Sequence, residues 1–364
     1  MTGNSQPLWF SRVVLQNWKN FARVDVSLRR RVFLVGPNAS GKSSFLDAFR
    51  FLRDIASSGG GFQEAVRRRG GVSAIRCLTA RRYSDIGIRV LVDSGDSGKR
   101  WEYELTFNQD KQRRPTIRKE RVAAGEVILL ERPNDEDRQD PERLTQTYLE
   151  QVSANRPFRE LAAFVGSVQY LQIVPQLVRE RGRTVWRTND PFGGDFLEAL
   201  AKTPEKTRNA RLRRIRDALR VAAPQLAELE LWRDVRHLSY GTLRLMGLLW
   251  VTMAGSGPLL LEEPELSLHP GVVRYLPQMF ARAQRRSGRQ IILSTHSPEL
   301  LRDDGIGLDE VLLLIPGDKG TEVKPASDIA NAQQLLAGGS TLADVVMPKT
   351  RPEKAERLAF FGDR

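Results

Sequence analysis

Gly36, Gly41, Lys42 and Ser43 stand in the spacing G-x-x-x-x-G-K-S, which is suited to holding phosphate. Glycines let a backbone wrap closely round an anion, so that successive N–H groups point inward. A helix N-terminus behind the loop adds partial positive charge. Lys42 would reach the β- and γ-phosphates of a nucleotide, and Ser43 would hold a Mg²⁺ ion. Asn38, Ser40 and Ser44 complete the candidate nucleotide-binding loop. The flanks fit this chemistry. Val32-Phe33-Leu34-Val35 reads as a buried strand, and Ser44 onward reads as a helix start with Phe45, Leu46 and Phe49 on one face. A phosphate loop requires this strand–loop–helix setting.

A second group of candidates lies two hundred residues later. Ser239-Tyr240-Gly241 opens a helix running to about Trp250, with Ser239 as its N-cap. Gly241 permits close approach to phosphate. Pro258-Leu259-Leu260-Leu261 is an apolar strand ending in Glu262 and Glu263. One acid at such a strand end can position Mg²⁺, and the next can activate water as a general base. Gln290 to Leu293 is a further apolar strand, ending in Ser294-Thr295-His296-Ser297-Pro298. His296 is placed to sense a γ-phosphate. All three histidines, His237, His269 and His296, fall in or beside these motifs.

The elements that must position these groups are legible in outline. Trp9–Leu15 and Ala22–Leu28 alternate like antiparallel strands, with Asn17-Trp18-Lys19-Asn20-Phe21 between them. From Ile75 to about Leu130 the pattern is β, and Lys111 to Arg121 is a basic strand or turn. Asp135-Glu136-Asp137 reads as a solvated loop. Beyond it the chain is mainly helical to about Glu230. Arg208 to Arg220 is the clearest helix, with a Leu212, Ile215, Leu219 stripe and arginines mostly off it. This divides the chain into 1–130, an N-terminal lobe with the phosphate loop; 131–237, a helical subdomain; and 238–364, a C-terminal lobe with the remaining motifs.

The charge balance narrows the partners. The net charge is +13, which favours a polyanion such as nucleic acid. Cys77 is the single cysteine, so neither an intramolecular disulfide nor a cysteine-based zinc cluster is expected, in keeping with a cytoplasmic protein. The N-terminus lacks a signal-like segment. The most apolar run, Leu243 to Leu261, is interrupted by Arg244, Gly247, Gly255, Ser256, Gly257 and Pro258, and reads as helix, turn and strand, not a membrane span.

The ordered motifs resemble the ABC-type ATPase superfamily, and their wording resembles its RecF, SMC and OLD-like branch. Asn17–Phe21 resembles that branch's N-F-K-x-F, Gly36–Ala48 its G-P-N-G-S-G-K-S-N-L-L-D-A, and Leu238–Arg244 its L-S-D-G-T-L-R signature. Glu262-Glu263-Pro264-Glu265 with His269-Pro270 resembles E-E-P-E…L-H-P, and Ser294–Pro298 resembles T-T-H-S-P. The resemblance spans about Phe10 to Met347. It implies an α/β P-loop NTPase with ABC-ATPase head architecture: a mixed-sheet core, an antiparallel β lobe and a helical subdomain. It also implies ATP and Mg²⁺ as cofactors and a head-to-tail homodimer. In that dimer Lys42 and Ser43 of one subunit face Ser239 and Gly241 of the other. Glu263 would be the general base, His296 the switch, and Ser43, Glu262 and Gln176 the Mg²⁺ contacts, with Gln172 as the alternative glutamine.

Several departures stand out. Ala39 replaces a loop glycine, tolerable if its φ stays below zero. Glu262 stands where aspartate is usual, and Tyr240 replaces the signature's acid. The appended nuclease domain of OLD enzymes is not expected here, and no N-K-x-D element favours GTP over ATP. The resulting expectation is an ATP-hydrolysing dimer switch in DNA maintenance or anti-phage defence, acting with DNA or a separate effector protein and without a membrane. The alternatives are the ATPase subunit of a membrane transporter and a non-catalytic nucleotide-gated module.

Overall fold

Side-chain alternation builds the first sheet. In the computed structural model, which describes residues 7–79, 84–95, 98, 100–172, 200–222 and 238–351, β1 (Trp9–Trp18) and β2 (Phe21–Ser27) form a hairpin. After β3 (Arg31–Val35), which joins the other sheet, come β4 (Ile86–Asp93), β5 (Arg100–Gln109), β6 (Pro115–Ala124) and β7 (Val127–Arg132). Their order is β2-β1-β4-β5-β6-β7, antiparallel throughout. Ile86, Ile88, Val90 and Val92 of β4 point into the core, as do Trp101, Tyr103, Leu105 and Phe107 of β5. The period of two makes this a one-faced core sheet.

The second sheet is mostly parallel and buried on both faces. It consists of β8 (Gln169–Leu171), β9 (Leu259–Glu262), β10 (Ile291–Thr295), β11 (Val311–Ile315) and β12 (Glu322–Pro325) together with β3, in the order β12-β11-β3-β10-β9-β8. Only β12 runs antiparallel. Val32 and Leu34 of β3 face a core shared with the antiparallel sheet, whereas Phe33 and Val35 face a second core. Continuous apolar strands such as Leu259-Leu260-Leu261 are what burial on both faces requires.

Helix α1 (Lys42–Ala56) lies between the sheets. Phe49 packs against Phe10 of β1 and against Phe45 one turn back, with ring centroids 4.9 and 5.8 Å apart. Helices α2 (Phe62–Arg67), α3 (Val72–Ile75), α4 (Asp135–Gln139) and α5 (Arg159–Gly166) follow along the antiparallel lobe. Helix α6 (Glu205–Ala222) packs on α7 (Tyr240–Met253) through Leu212, Ile215 and Leu219. The short α8 (Pro270–Val273) and α9 (Leu276–Ser287) precede β10, and α10 (Pro298–Leu301) follows it. The Leu243–Leu261 run is a helix, a turn and a strand, as read. Arg289 closes that helix by donating to the carbonyls of Val251 (2.7 Å), Ala254 (2.6 Å) and Gly257. Among the described residues, no helix is long and apolar enough to cross a membrane.

Two sequence readings are corrected. The β region does not begin at Ile75, because that residue ends α3 and the next sheet strand starts at Ile86. Asp135-Glu136-Asp137 is not a loop: it forms α4, capped reciprocally by Asn134 and Asp137, with Asp135 and Glu136 solvated as read. Asp137 is buried there, 2.8 Å from the Arg132 guanidinium, whose other side meets Glu120 at 3.0 Å. The basic Lys111–Arg121 segment is a turn and a strand, as read, and half of its basic residues are paired with acids. Arg114 pairs with Asp110 and Glu142, Lys119 with Glu104, and Arg121 with Glu102.

Candidate functional site

The phosphate loop joins β3 to α1, and its glycines are dictated by contacts. A Cβ on Gly36 would come within 2.6 Å of the Leu314 carbonyl oxygen. Gly41 caps α1 at φ +96°, a conformation that side chains resist. Ala39 also lies at φ +63°, so the condition for an alanine to sit there without strain is not met. The loop's path demands left-handed backbone at this point, and a Cβ there costs roughly 1–2 kcal/mol.

The hairpin between β1 and β2 braces the loop from the other sheet. Ser44 Oγ donates to Asn20 Oδ1 at 2.7 Å, Asn20 Nδ2 donates to the Ala39 carbonyl at 3.2 Å, and Trp18 Nε1 donates to the Ser44 carbonyl at 2.8 Å. Lys19 pairs with Asp47 at 2.6 Å. Burial alone would raise the Asp47 carboxyl, but Arg69 and Lys19 outweigh it and hold its pKa at about 2.

The loop fits a nucleotide's phosphates. No side chain caps the N-terminus of α1, and its first turn carries no acid. Ser40 Oγ is buried without a partner. Lys42 Nζ donates to the Gly36 and Pro37 carbonyls at 2.9 and 3.0 Å, so its ammonium sits within the loop. Burial lowers the Lys42 pKa, while Glu263, Glu262 and Glu265 raise it. An incoming phosphate would supply the opposite charge that a buried ammonium lacks at close range.

Opposite the loop, the C-terminal ends of β9 and β10 present the acids and the histidine. Ser43 Oγ and Tyr170 OH both donate to the Glu262 carboxylate. Mg²⁺ bound with a nucleotide takes one or two carboxylates plus phosphate oxygens. Ser43 and Glu262 offer a hydroxyl and a carboxylate in contact with one another, which fits that donor set. Among the described residues, no group of three or more His, Cys, Asp or Glu could hold a metal.

Glu263 stands at φ +43°, its amide directed at the Ser294 carbonyl and hydroxyl oxygens, each at 3.2 Å. Its Oε1 lies 3.1 Å from His296 Nε2. The adjacent His296 keeps the Glu263 pKa low against the effect of burial, helped by the charges of Lys42 and Arg244. Glu263 is therefore an ionised carboxylate at neutral pH. Arg244, half-buried on α7, shares a small cavity with Leu171, Leu248, Leu261, Glu262 and Glu263.

Ser239 caps α7, accepting from the Thr242 amide at 3.2 Å. Gly241 lies so close to the turn after Glu265 that a Cβ would sit 2.5 Å from the Ser267 carbonyl oxygen. His269 is an N-cap, its Nδ1 accepting from the Gly271 amide at 3.1 Å. Gln176 and His237 lie outside the described residues. Gln172 follows Leu171, which is in register with Leu261, so it leaves β8 at the edge where Glu262 leaves β9.

The structure thus brings Lys42, Ser43, Glu262, Glu263 and His296 to one edge of the mixed sheet. Sequence reasoning gave no role to Asn20, Tyr170, Arg244 or Glu265. Asn20, Arg244 and Glu265 lay inside motifs already noted. Tyr170 sits in a three-residue strand with no pattern to mark it, and only strand register places it beside β9.

Residues 31–302 match the family described as "AAA domain, putative AbiEii toxin, Type IV TA system". No curated protein matches the chain. Among solved structures, the SMC head domain from Thermotoga maritima is 13% identical, with 87% of this chain and 98% of that chain covered and a TM-score of 0.48. The Smc head domain derived from Pyrococcus furiosus, bound to the C-terminal domain of ScpA, is 10% identical, with coverage of 91% and 99% and a TM-score of 0.49. The recombination mediator RecF is 14% identical, with coverage of 88% and 99% and a TM-score of 0.38.

Proposed function

The chain belongs to that AAA-domain family, and we propose that it is an ABC-type P-loop ATPase of the RecF/SMC-like branch that binds ATP with Mg²⁺ and hydrolyses it. The observation that carries this reading is the Glu263–His296 pair, 3.1 Å apart, at the same strand edge as Lys42, Ser43 and Glu262. Lys42 and the α1 N-terminus bind the β- and γ-phosphates. Ser43 and Glu262 hold Mg²⁺, which supplies positive charge against the phosphate oxygens. Glu263, ionised at neutral pH, accepts a proton from the attacking water. His296 orients Glu263 and reads the γ-phosphate. Gln172, which leaves β8 where Glu262 ends β9, would be available to the metal's coordination shell.

The reading extends to a switch. Ser239 and Gly241 of one copy close on the phosphate loop of a second, so that ATP favours the closed dimer through interactions the open state lacks. DNA is the proposed polyanion. Arg213, Arg214 and Arg216 on α6 are exposed and make no ion pair among the described residues, unlike Lys119 and Arg121 of β6. A defence role is supported by the family description, "putative AbiEii toxin, Type IV TA system"; a separate effector protein is proposed with it.

The test is steady-state ATP turnover by the purified chain, with and without duplex DNA, beside Glu263→Gln. The expected result is turnover that DNA stimulates and that falls about 100-fold or more in the variant, the scale of a missing general base. Undiminished turnover in Glu263→Gln would overturn the assignment of the base. Replacing the three α6 arginines with glutamine should lower the salt slope of DNA binding by up to about 3, close to one for each phosphate no longer neutralised.

A further inference from the structure

Glu265 is buried, with 8% of its surface exposed, and it faces the end of β10 rather than the phosphate loop. Its Oε1 accepts from the Thr295 hydroxyl and, at 3.1 Å, from the His296 amide. Thr295 Oγ1 in turn accepts from the Ser297 amide at 3.0 Å, and Ser297 caps α10. The loop after β9 is therefore tied to the loop after β10 by two cross-links. One runs from the Glu263 amide to Ser294, and the other from Glu265 to Thr295 and His296.

These two links fix the backbones that carry Glu263 and His296. We propose that Glu265 is a positioning residue that holds the His296 backbone through one carboxylate oxygen, so that the imidazole meets Glu263, and that it takes no part as base or metal ligand. The proposal rests on the ATPase reading for its kinetic consequence, but not for its structural one.

Three observations separate the roles of the two glutamates. Glu263 meets an imidazole and is half-exposed at the site, whereas Glu265 meets a hydroxyl and a backbone amide and is buried. Glu265 Oε2 is buried with no partner, so only one oxygen is in use. Burial raises the Glu265 pKa, and the neighbouring Glu263 charge adds to that, opposite in direction to the shift at Glu263. A carboxyl that works as a one-oxygen acceptor can be replaced by an amide of the same shape. A general base cannot.

The experiment compares Glu265→Ala, Glu265→Gln and Glu263→Gln in the full chain, with thermal melts to establish that each folds. Glu265→Ala removes the acceptor. It should lower kcat about 10- to 100-fold, the equivalent of one or two buried hydrogen bonds, with KM for ATP changed less than about 3-fold. Glu265→Gln keeps an acceptor at the same reach and should restore most of that loss, whereas Glu263→Gln stays inactive. A second readout needs no turnover. The chain has three histidines, so the imidazole NMR signals of His296 can be assigned by their disappearance in His296→Gln. They should move in Glu265→Ala and hold in Glu265→Gln. Glu265→Gln as inactive as Glu263→Gln would make Glu265 a reacting group and overturn the proposal. So would Glu265→Ala with unchanged kcat and unchanged imidazole signals. If the wild-type chain turns over no ATP, the proposed activity fails, and the imidazole signals still decide the inference.

Discussion

The far end of the antiparallel lobe and the strand ends of the mixed sheet both bury charge, but they treat it differently. In the lobe, Arg132, Glu120 and Asp137 are fully buried, and Arg132 spends its remaining donors on the Arg143 and Gln146 carbonyls. Glu120 also accepts from the Tyr148 and Leu149 amides and from the Tyr103 hydroxyl. Every charge there is matched within the fold. At the phosphate loop, Ser40 Oγ has no partner, and Lys42 is held by carbonyls alone. A closed network fixes structure, whereas polar groups left unmatched are available to a ligand.

The sharpest way to break this contrast is to open the closed network. Arg132→Leu strands Glu120 and Asp137 in the interior and should destabilise the chain by about 3–5 kcal/mol in denaturant unfolding, the cost of removing one partner from a buried pair. A destabilisation below about 1 kcal/mol would show that the lobe tolerates unmatched charge as well as the site does.

Asp47 lies between the two regimes: it is on α1 behind the phosphate loop, yet paired with Lys19 and Arg69. Its folded pKa of about 2 is below the ordinary 3.8. The stabilisation is therefore present above pH 3.8 and lost as pH falls through about 2. Asp47→Asn should cost about 2 kcal/mol at neutral pH and flatten the acid unfolding curve between those values. An unchanged curve would remove Asp47 from the matched class.

Inside the loop the expected effects are smaller. Ala39→Gly relieves a left-handed Cβ and should stabilise the fold by about 1 kcal/mol, read as a raised Tm. Ser40→Ala deletes a buried hydroxyl that has no partner, so stability should change by less than about 0.5 kcal/mol. Nucleotide binding, measured by calorimetry, should nevertheless weaken. If Ser40→Ala lowers stability and leaves binding intact, the loop's unmatched hydroxyl is structural and the contrast fails.

The sequence by itself determined the parts of the site that are contiguous. G-x-x-x-x-G-K-S carries its strand, loop and helix within a dozen residues, and each of Glu262, Glu263 and His296 follows an apolar run. Local pattern reports such features because their causes are local: backbone curvature, helix nucleation and burial on both faces of a strand. The alternating strands of the antiparallel lobe were legible for the same reason. Only tertiary structure decided what those groups meet. Tyr170 reaches Glu262 because β8 pairs with β9 across 92 residues, and Asn20 reaches Ser44 because a hairpin of one sheet lies over the loop of the other. Asp137 turned from an apparently solvated acid into the partner of Arg132 because a short helix folds back on β7. The left-handed backbone at Ala39 came from the loop's path between β3 and α1, which the residue type argues against. Spacing along the chain encodes which chemistry is available. The pairing of distant strands fixes which donor faces which acceptor, and no local pattern carries that information.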